Sequence, residues 1–302
     1  MIRKRLCVWV GAFLTLFSLF IVATGALGRD MPERNLYAPV LVTLGSGAEG
    51  SGFYLTGKSN LFFVTARHVL LNEQHGLRST NATFASYSEE DPEVSIAFQV
   101  SLEALWRDDH IRFHASNDVM VVNLGEVFVK ANGEKGTVTH DEYIRRVDTG
   151  KGIMVTCELS MLKRFAEVLV GNEVFVFGYP RSIGLRELPQ IDYDHPLLRK
   201  GTVAGKNTQR RTIILDCPVY PGLSGGPVLE VEREGFVTRF IPIGVVSEFV
   251  PFAEQWENKK LGYSNLTISN SGYSVITSID AVLELLDYWH ESLDDPNPSK
   301  KN

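Results

Sequence analysis

The chain has 302 residues, of which 44% are hydrophobic and 22% charged, the composition of a globular protein with one large or two medium domains. Its formal net charge of −6 and its short, scattered basic clusters argue against a nucleic-acid partner. With three cysteines in all, the chain is not a disulfide-dense scaffold and must be stabilised by a packed core.

An export signal or membrane anchor is predicted at residues 1–28. Arg3, Lys4 and Arg5 precede an uncharged run from Leu6 to Ala23, and a basic segment before an apolar one is typical of an export signal. The run is also just long enough to span a bilayer, so cleavage and retention both stay open. In either case the positive-inside rule predicts a periplasmic or extracellular protein, associated with the membrane if this segment is kept.

From residue 37 the chain changes to short runs rich in Val, Leu, Phe and Thr. Many short apolar runs separated by turn residues are typical of an all-β sandwich or barrel. They predict a first barrel over about 37–130. Its runs are Val40 to Leu44, Gly52 to Leu55, Leu61 to Thr65, Val94 to Val100 and Val119 to Leu124.

A polar stretch from about Lys130 to Lys151 predicts a connection, with a short helix over Asp141 to Val147. A second set of runs predicts a second barrel over about 152–277, and the long segment from Tyr179 to Leu198, with three prolines, has the length of a functional loop. The runs are Ile153 to Cys157, Glu173 to Phe177, Thr212 to Cys217, Val228 to Val231, Phe236 to Val246 and Tyr273 to Ile276.

The chain closes with a predicted helix and a tail. Apolar residues from Ile279 to Trp289 recur at helical spacing, and Ser278 can cap the helix, which we place at 278–291. The polar residues 293–302 predict a disordered tail.

The segment from Pro221 to Val228 carries the strongest chemical signal, because Ser224 lies in it between glycines. A serine hydroxyl is a weak nucleophile that needs a base beside it, and acyl transfer also needs backbone N–H groups aimed at the developing oxyanion. Gly222 can adopt backbone angles closed to other residues and so turn its N–H towards the same point as that of Ser224. Taken alone, the motif leaves open a glycine-rich turn with an incidental serine.

His68 is the candidate base among the seven histidines. It ends a strong β run that begins at Phe62, and the end of a strand is a rigid support for a group that must hold its position. The other histidines lie in polar loops or in the final helix and are interpreted as surface residues. His114 is kept as a second candidate because it lies four residues before the candidate aspartate.

Asp118 is the candidate third group, which orients the imidazole and stabilises its charged form. It directly precedes the apolar run from Val119 to Val122, at the point where the chain enters the core. Such an aspartate usually forms a turn or caps a helix, and the presence of His68 and Ser224 weakens that alternative.

These segments resemble the chymotrypsin-like (trypsin-type) serine peptidases, and most of all their bacterial HtrA/Deg branch. The segments from Gly50 to Phe53 and from Val64 to Val69 are similar to the region of the family's catalytic histidine, and Asn117 to Val122 to its acid segment. Gly178 to Pro180 resembles the glycine turn that opens the second barrel, and Asp216 to Pro227 the nucleophile loop. The candidate base, acid and nucleophile also follow one another in the family's order.

The resemblance implies two six-stranded antiparallel β-barrels with the active site in the cleft between them. His68 and Asp118 would come from the first barrel and Ser224 from the second. It implies an exported serine endopeptidase that cleaves protein or peptide substrates through an acyl-enzyme, with the N–H groups of Gly222 and Ser224 as the oxyanion hole and with no cofactor or metal.

The chain also departs from the family's pattern. Arg67 and Leu223 replace its usual alanine and polar residue, and neither is expected to act in the chemistry. Since only about fifty residues follow Val250, the PDZ domain of many HtrA proteins is not expected. Pro218 stands where trypsin-like relatives carry a specificity aspartate, which predicts a small or medium apolar side chain before the cleaved bond.

One other interpretation stays open, and two are disfavoured by the order of the candidate residues. The chain could be a catalytically silent binding protein on the same fold. An esterase of the α/β-hydrolase kind would need alternating strands and helices, with the histidine after the serine. A non-enzymatic envelope protein would leave the ordered residues unexplained. The sequence likewise leaves open whether Cys157 and Cys217 form a disulfide or remain free.

Overall fold

The computed structural model describes residues 31–91, 93–129, 135–148, 152–181, 188–235 and 237–291. The N-terminal segment 1–28 and the tail 293–302 lie outside the described residues, as do parts of the two long connections. Within these ranges no helix is both long enough and apolar enough to cross a membrane.

Alternating burial along the strands builds a first curled sheet. In β4, for example, every second residue is buried, because successive side chains of a strand point to opposite faces. The sheet has ten strands, all paired antiparallel except β10, which lies parallel to β2. Its strands are β1 (Pro39–Leu44), β2 (Glu49–Thr56), β3 (Asn60–Thr65), β4 (Asn81–Tyr87), β5 (Ser95–Ser101), β6 (Ile111–Phe113), β7 (Met120–Val129), β8 (Lys135–Thr139), β9 (Ile144–Arg146) and β10 (Thr156–Glu158).

The second sheet is a closed barrel of six antiparallel strands, in the order β11-β12-β13-β16-β15-β14. Two of them, β15 and β16, are much longer than the rest and continue as a hairpin past the barrel. The strands are β11 (Glu173–Gly178), β12 (Leu197–Asn207), β13 (Thr212–Asp216), β14 (Pro227–Glu234), β15 (Val237–Asn258) and β16 (Tyr263–Ser278).

In the described part of the chain, helices are few and short. They are α1 (Arg67–Leu70), α2 (Leu102–Arg107) and α3 (Ile279–Leu286), with 3₁₀ turns at Glu33–Tyr37, Leu159–Met161, Phe165–Glu167 and Asp287–Trp289. Ser278 occupies the N-cap position of α3, although its hydroxyl makes no capping hydrogen bond. The apolar face of α3 belongs to a buried cluster that includes Phe53 of the first sheet and Val245 of the second, so this helix packs against both sheets.

The all-β fold class and the C-terminal helix are confirmed. The first sheet is larger than the six strands expected, because β8, β9 and β10 pair with β7, β5 and β2 respectively. The prediction of a helix over Asp141 to Val147 is wrong. Ile144 is buried in the core and pairs with Val100, so the edge of β5 provides these residues with hydrogen-bond partners in an extended conformation.

Candidate active site

The structure brings His68 and Asp118 into direct contact. Asp118 Oδ2 lies 2.6 Å from His68 Nδ1, and Asp118 Oδ1 accepts a hydrogen bond from the His68 backbone N–H at 3.0 Å. A carboxylate can only accept, so the contact places a proton on Nδ1 and leaves Nε2 as the basic nitrogen of a neutral ring. The two hydrogen bonds fix the orientation of the imidazole.

His68 lies just past the strand that was expected to carry it. β3 ends at Thr65, and His68 occupies the first turn of α1, whose residues Val69 and Leu70 are buried and fix the turn to the core. The His68 side chain is 48% exposed, and that of Asp118 is 19% exposed. Both residues line an open cavity of about 620 Å³, and the acid is the more shielded of the two.

Arg67 holds the loop that carries Asp118. Its guanidinium Nη1 donates to the carbonyl oxygens of His114 and Ala115, at 2.9 and 3.2 Å. These residues precede Asp118 in the turn between β6 and β7. The residue that departs from the family's pattern therefore connects the segment of the base to the segment of the acid, a role that the sequence did not indicate.

His114, the second candidate base, has both ring nitrogens engaged elsewhere. Nε2 lies 2.9 Å from Glu284 Oε2, and Nδ1 accepts from the backbone N–H of Asn117 at 3.0 Å. Glu284, on α3, is also hydrogen-bonded to Arg211, and this pairing is the main reason why the pKa of Glu284 lies below its usual value. His114 thus links the Asp118 loop to the C-terminal helix, and the geometry does not favour it as a base.

The glycine loop around Ser224 is held by backbone hydrogen bonds. The N–H of Leu223 donates to the carbonyl of Tyr220 at 3.1 Å, and that of Arg181 donates to the carbonyl of Pro221 at 2.8 Å. Gly222 has φ +96°, and a Cβ there would lie 2.2 Å from the carbonyl oxygen of Tyr179, so the site admits only glycine.

Two N–H groups of this loop have no acceptor in the ranges that the structure describes. Among the residues that the structure describes, neither the N–H of Gly222 nor that of Ser224 donates a hydrogen bond. Ser224 is half-buried, and within the same ranges its hydroxyl has no hydrogen-bond partner either. The structure thus joins His68 to Asp118 by hydrogen bonds but makes no hydrogen bond between Ser224 Oγ and His68.

Ser224 is connected to the histidine segment through backbone. Its carbonyl oxygen accepts from the N–H of Ser51 on β2 at 2.8 Å. At the next residue, Gly225, a Cβ would come within 2.9 Å of the N–H nitrogen of Ala66, two residues before His68. The loop of the second sheet therefore packs directly against the strand ends of the first.

Ser51 is a functional candidate that the sequence reasoning missed. It is fully buried, and its hydroxyl donates to the Gly222 carbonyl at 2.6 Å and accepts from the N–H of Tyr179 at 3.0 Å. Its carbonyl oxygen also accepts from Thr65 Oγ1 at 2.7 Å. The signal was available in the motif from Gly50 to Phe53, where a serine stands between two glycines at the start of a strand.

The two cysteines that the structure describes, Cys157 and Cys217, are free thiols. Cys157 lies in β10, and Cys217, which follows β13, belongs to the core of the second sheet. Burial raises the pKa of Cys157 to about 12 and that of Cys217 to about 11. Within the described ranges, no cluster of three or more His, Cys, Asp or Glu residues could hold a metal ion.

Comparison with known proteins bears on this arrangement. A model described as the trypsin-like peptidase domain matches residues 50–237, more than half of the chain, and the match contains His68, Asp118 and Ser224. Comparison with curated proteins finds no match.

The solved structures that match this chain have low sequence identity to it. Human heparin binding protein is 13% identical, with 91% of this chain and 100% of that chain covered and a TM-score of 0.49. Deg5 is 16% identical, with 86% and 97% covered and a TM-score of 0.47. Protease Anisep from Arthrobacter nicotinovorans is 15% identical, with 83% and 93% covered and a TM-score of 0.46.

Proposed function

We propose, since the chain belongs to the trypsin-like peptidase domain family, that it is a serine endopeptidase with His68 as base, Asp118 as orienting acid and Ser224 as nucleophile. The observation that carries the proposal is the pair of hydrogen bonds from His68 to Asp118, through Nδ1 and through the backbone N–H. This pair leaves Nε2 as the nitrogen that can accept a proton.

The first step forms a bond between Ser224 Oγ and the carbonyl carbon of the peptide while the hydroxyl proton passes to His68 Nε2. General base assistance of this kind contributes roughly 10²- to 10⁴-fold in rate. Asp118 stabilises the imidazolium that results, because its carboxylate lies 2.6 Å from Nδ1. The imidazolium then gives the proton to the amine nitrogen as the peptide C–N bond breaks, and water, deprotonated by His68, attacks the acyl-enzyme so that the ester bond breaks and the proton returns to Ser224 Oγ.

The N–H groups of Gly222 and Ser224 are proposed to stabilise the oxyanion. Both lack an acceptor within the described residues, so neither must break a hydrogen bond to bind the developing charge. Removing one oxyanion donor from a serine peptidase costs about 10²- to 10³-fold in rate. No step needs a cofactor.

Protein or peptide chains are the proposed substrates, and the N-terminal segment is proposed to export the enzyme. The pairing of an apolar run with three preceding basic residues supports export, and N-terminal sequencing of protein recovered outside the cytoplasm tests it. A mature N-terminus close to residue 28 indicates cleavage. Recovery of the uncleaved chain with membranes indicates an anchor, and recovery in the cytoplasm alone contradicts export.

Labelling with a fluorophosphonate probe tests the catalytic proposal. Folded wild-type protein should be labelled at Ser224, and Ser224→Ala and His68→Ala should each abolish the labelling. Ser160→Ala, which removes an exposed serine away from the loop, is the matched control and should label like the wild type. A folded wild-type protein that fails to label, and that fails to cleave any peptide of a mixed library, contradicts the proposal in favour of a silent binding protein on the same fold.

A further inference from the structure

A hairpin extends from the second barrel and is almost uncovered by the part of the chain that the structure describes. We name residues 251–269 the hairpin arm, formed by the ends of β15 and β16 and the turn between them. Every residue of the arm is exposed except Asn258, which is half-buried. An isolated two-stranded hairpin is only marginally stable in water, so this length of uncovered ribbon calls for a function.

The arm carries large apolar side chains on both faces. Alternate residues along a strand lie on the same face, and residues that pair directly across a hairpin share a face. Trp256 therefore lies on one face with Phe252, while Leu266 lies on the other. The six large apolar side chains of the arm are 51–70% exposed: Phe252, Trp256, Leu261, Tyr263, Leu266 and Ile268.

The edge of β15 that continues into the arm begins at the nucleophile loop. The backbone of Val246 exchanges hydrogen bonds with Gly225 and Gly226, at 2.8 and 3.0 Å. From Ser247 to Asn258 the same edge of β15 pairs with no strand of the described chain, because β14 reaches only Val245. At about 3.3 Å per residue, this free edge continues for roughly 35 Å from the loop that holds Ser224.

Side-chain hydrogen bonds fix the base of the arm to the same loop. Asn270 Nδ2 donates to the carbonyl of Val219 at 2.7 Å, five residues before Ser224. Ser271 Oγ donates to the carbonyl of Val250 at 2.6 Å and joins the two strands at that point. The direction in which the arm leaves the barrel is therefore set relative to the candidate nucleophile.

We propose that the hairpin arm is a distal substrate-binding edge, to which an extended, apolar and cationic segment of the polypeptide being cleaved adds as a further strand. The proposal rests on the proposed peptidase function and extends it to the substrate class. Addition of a strand to a free edge gives affinity through backbone hydrogen bonds and selectivity through side chains.

The charge of the edge selects the occupant. Between Pro251 and Asn258 the charged residues of β15 are Glu254 and Glu257, both exposed. When two copies of this chain pair edge to edge about a two-fold axis that passes beside Glu254 or beside Glu257, that glutamate faces its own copy, and like charges opposite one another destabilise a strand pair. A basic substrate segment is attracted to these glutamates, whereas a second copy placed in that way is repelled by them.

Cleavage of a mixed library of synthetic peptides of about 18 residues, read by mass spectrometry, tests the proposal. Wild-type protein should favour apolar and basic residues at about four to ten positions from the cleaved bond, on one side. Glu254→Lys/Glu257→Lys should change the distal preference from basic to acidic, by about fivefold, while preferences next to the cleaved bond stay constant. Glu126→Lys/Glu142→Lys, at an exposed glutamate of β7 and one in the turn before β9, is the matched charge control.

A shortened arm gives the second variant. Because Phe252 pairs with Ser269, residues 253–268 can be replaced by Asn-Gly, which closes a hairpin in the same register. This protein should lose the distal preference, cleave long peptides about tenfold more slowly, and react with the fluorophosphonate at the wild-type rate.

Identical distal profiles in the wild-type, charge-reversed and shortened proteins overturn the proposal. So does dimerisation, or binding to anionic phospholipid vesicles, that the shortened protein loses while its cleavage profile is unchanged. If the wild type neither labels nor cleaves, the peptidase function has failed, and the arm is judged by retention of the same library on immobilised Ser224→Ala protein. Retained peptides must then change from basic to acidic on charge reversal, and an unchanged set overturns the arm as well.

Discussion

The hydroxyl of Ser51 donates a hydrogen bond to the carbonyl oxygen of Gly222 at 2.6 Å. Ser51 lies on β2 of the first sheet, and Gly222 lies in the nucleophile loop of the second. The backbone N–H of the same serine donates to the carbonyl of Ser224, and Thr65 Oγ1 donates to the Ser51 carbonyl at the end of the strand before His68. One buried residue thus connects the base segment, the proposed oxyanion donor and the nucleophile.

Replacing Ser51 by alanine should lower kcat and leave KM nearly unchanged. The variant removes the hydrogen bond that the hydroxyl donates to Gly222 and the one that it accepts from the Tyr179 N–H. The first positions the proposed oxyanion donor, and loss of one buried hydrogen bond costs about 1 kcal/mol, which corresponds to roughly five- to tenfold in rate. Steady-state hydrolysis of a cleaved library peptide and the rate of fluorophosphonate labelling measure the effect. Ser86→Ala, at a buried serine of β4, is the control and should leave kcat unchanged. Equal losses in both variants would mean that Ser51 acts only through general stability.

Replacing Asp118 by asparagine should lower kcat by about 10³- to 10⁴-fold without unfolding the protein. The amide has the shape of the carboxylate, but it can present an N–H₂ group to His68 Nδ1, which then favours the tautomer with the proton on Nε2. That ring cannot accept the proton of Ser224. Peptide hydrolysis and thermal unfolding measure the two effects, and Asp108→Asn, at an exposed aspartate paired with Arg107, should keep full activity. Full activity in Asp118→Asn would rule out the assigned role.

Replacing Arg67 by alanine should lower kcat about fivefold. The two hydrogen bonds from Nη1 of its guanidinium to the carbonyls of His114 and Ala115 hold the turn that positions Asp118, and the shorter, flexible Lys side chain carries an ammonium in place of the rigid guanidinium. Arg67→Lys is therefore expected to recover only part of the rate. Arg107→Ala, on the exposed end of α2, provides the control. Wild-type kcat in Arg67→Ala would show that the turn holds Asp118 without this residue.

The short strands and the candidate catalytic segments could be predicted because each depends on local sequence. Apolar runs bounded by Gly and Ser predict strands such as β3 whichever strand they pair with. A glycine–serine loop can likewise be recognised from its own residues. Contacts between residues distant in the sequence could not be predicted in this way. The hydrogen bonds of Arg67 reach residues 47 and 48 positions away, and those of His114 reach Glu284 on the C-terminal helix.

The hairpin arm shows a different limit. Its strands contain Asn, Ser, Glu and Gln among the apolar residues, so no uniform β pattern marks them, and the prediction ended one strand at Val246 and began the next at Tyr273. The helix expected over Asp141 to Val147 failed because the edge of β5 was unknown. His110 and His140, interpreted as surface residues, are half-buried with ring centroids 4.5 Å apart.

Stability in acid should depend on Glu284. The hydrogen bond from Arg211 lowers the pKa of Glu284 below its value of 4.5 in an unperturbed chain. A carboxylate with a lowered pKa stabilises the fold above the unfolded value and loses this contribution as the pH falls through the folded value. The Tm of the wild type should therefore exceed that of Glu284→Gln near neutral pH, and the difference should shrink below about pH 4.5. Glu103→Gln, an exposed glutamate of α2, is the control. A difference that is constant with pH would contradict the charge pairing.

Stability in alkali should depend on Cys217. Its side chain is buried in the core of the second sheet, and burial raises the pKa of the thiol from 9.0 to about 11. Below pH 9 the thiol is protonated in both states and contributes no dependence on pH. Between about pH 9 and 11 the unfolded chain ionises while the folded chain does not, so the free energy of unfolding should fall as the pH rises.

Urea denaturation of the wild type and of Cys217→Ala across this pH range isolates the effect of that thiol. The fall in the free energy of unfolding should be steeper for the wild type, by about 2 kcal/mol over the whole range. Tyrosine and lysine ionise in both proteins, so the comparison removes their contribution. Iodoacetamide should also react slowly with folded protein at pH 8 and quickly once urea unfolds it, because the thiolate is the reactive species and burial both suppresses it and blocks access. Equal slopes in the two proteins, together with rapid alkylation of the folded chain, would place Cys217 in contact with solvent.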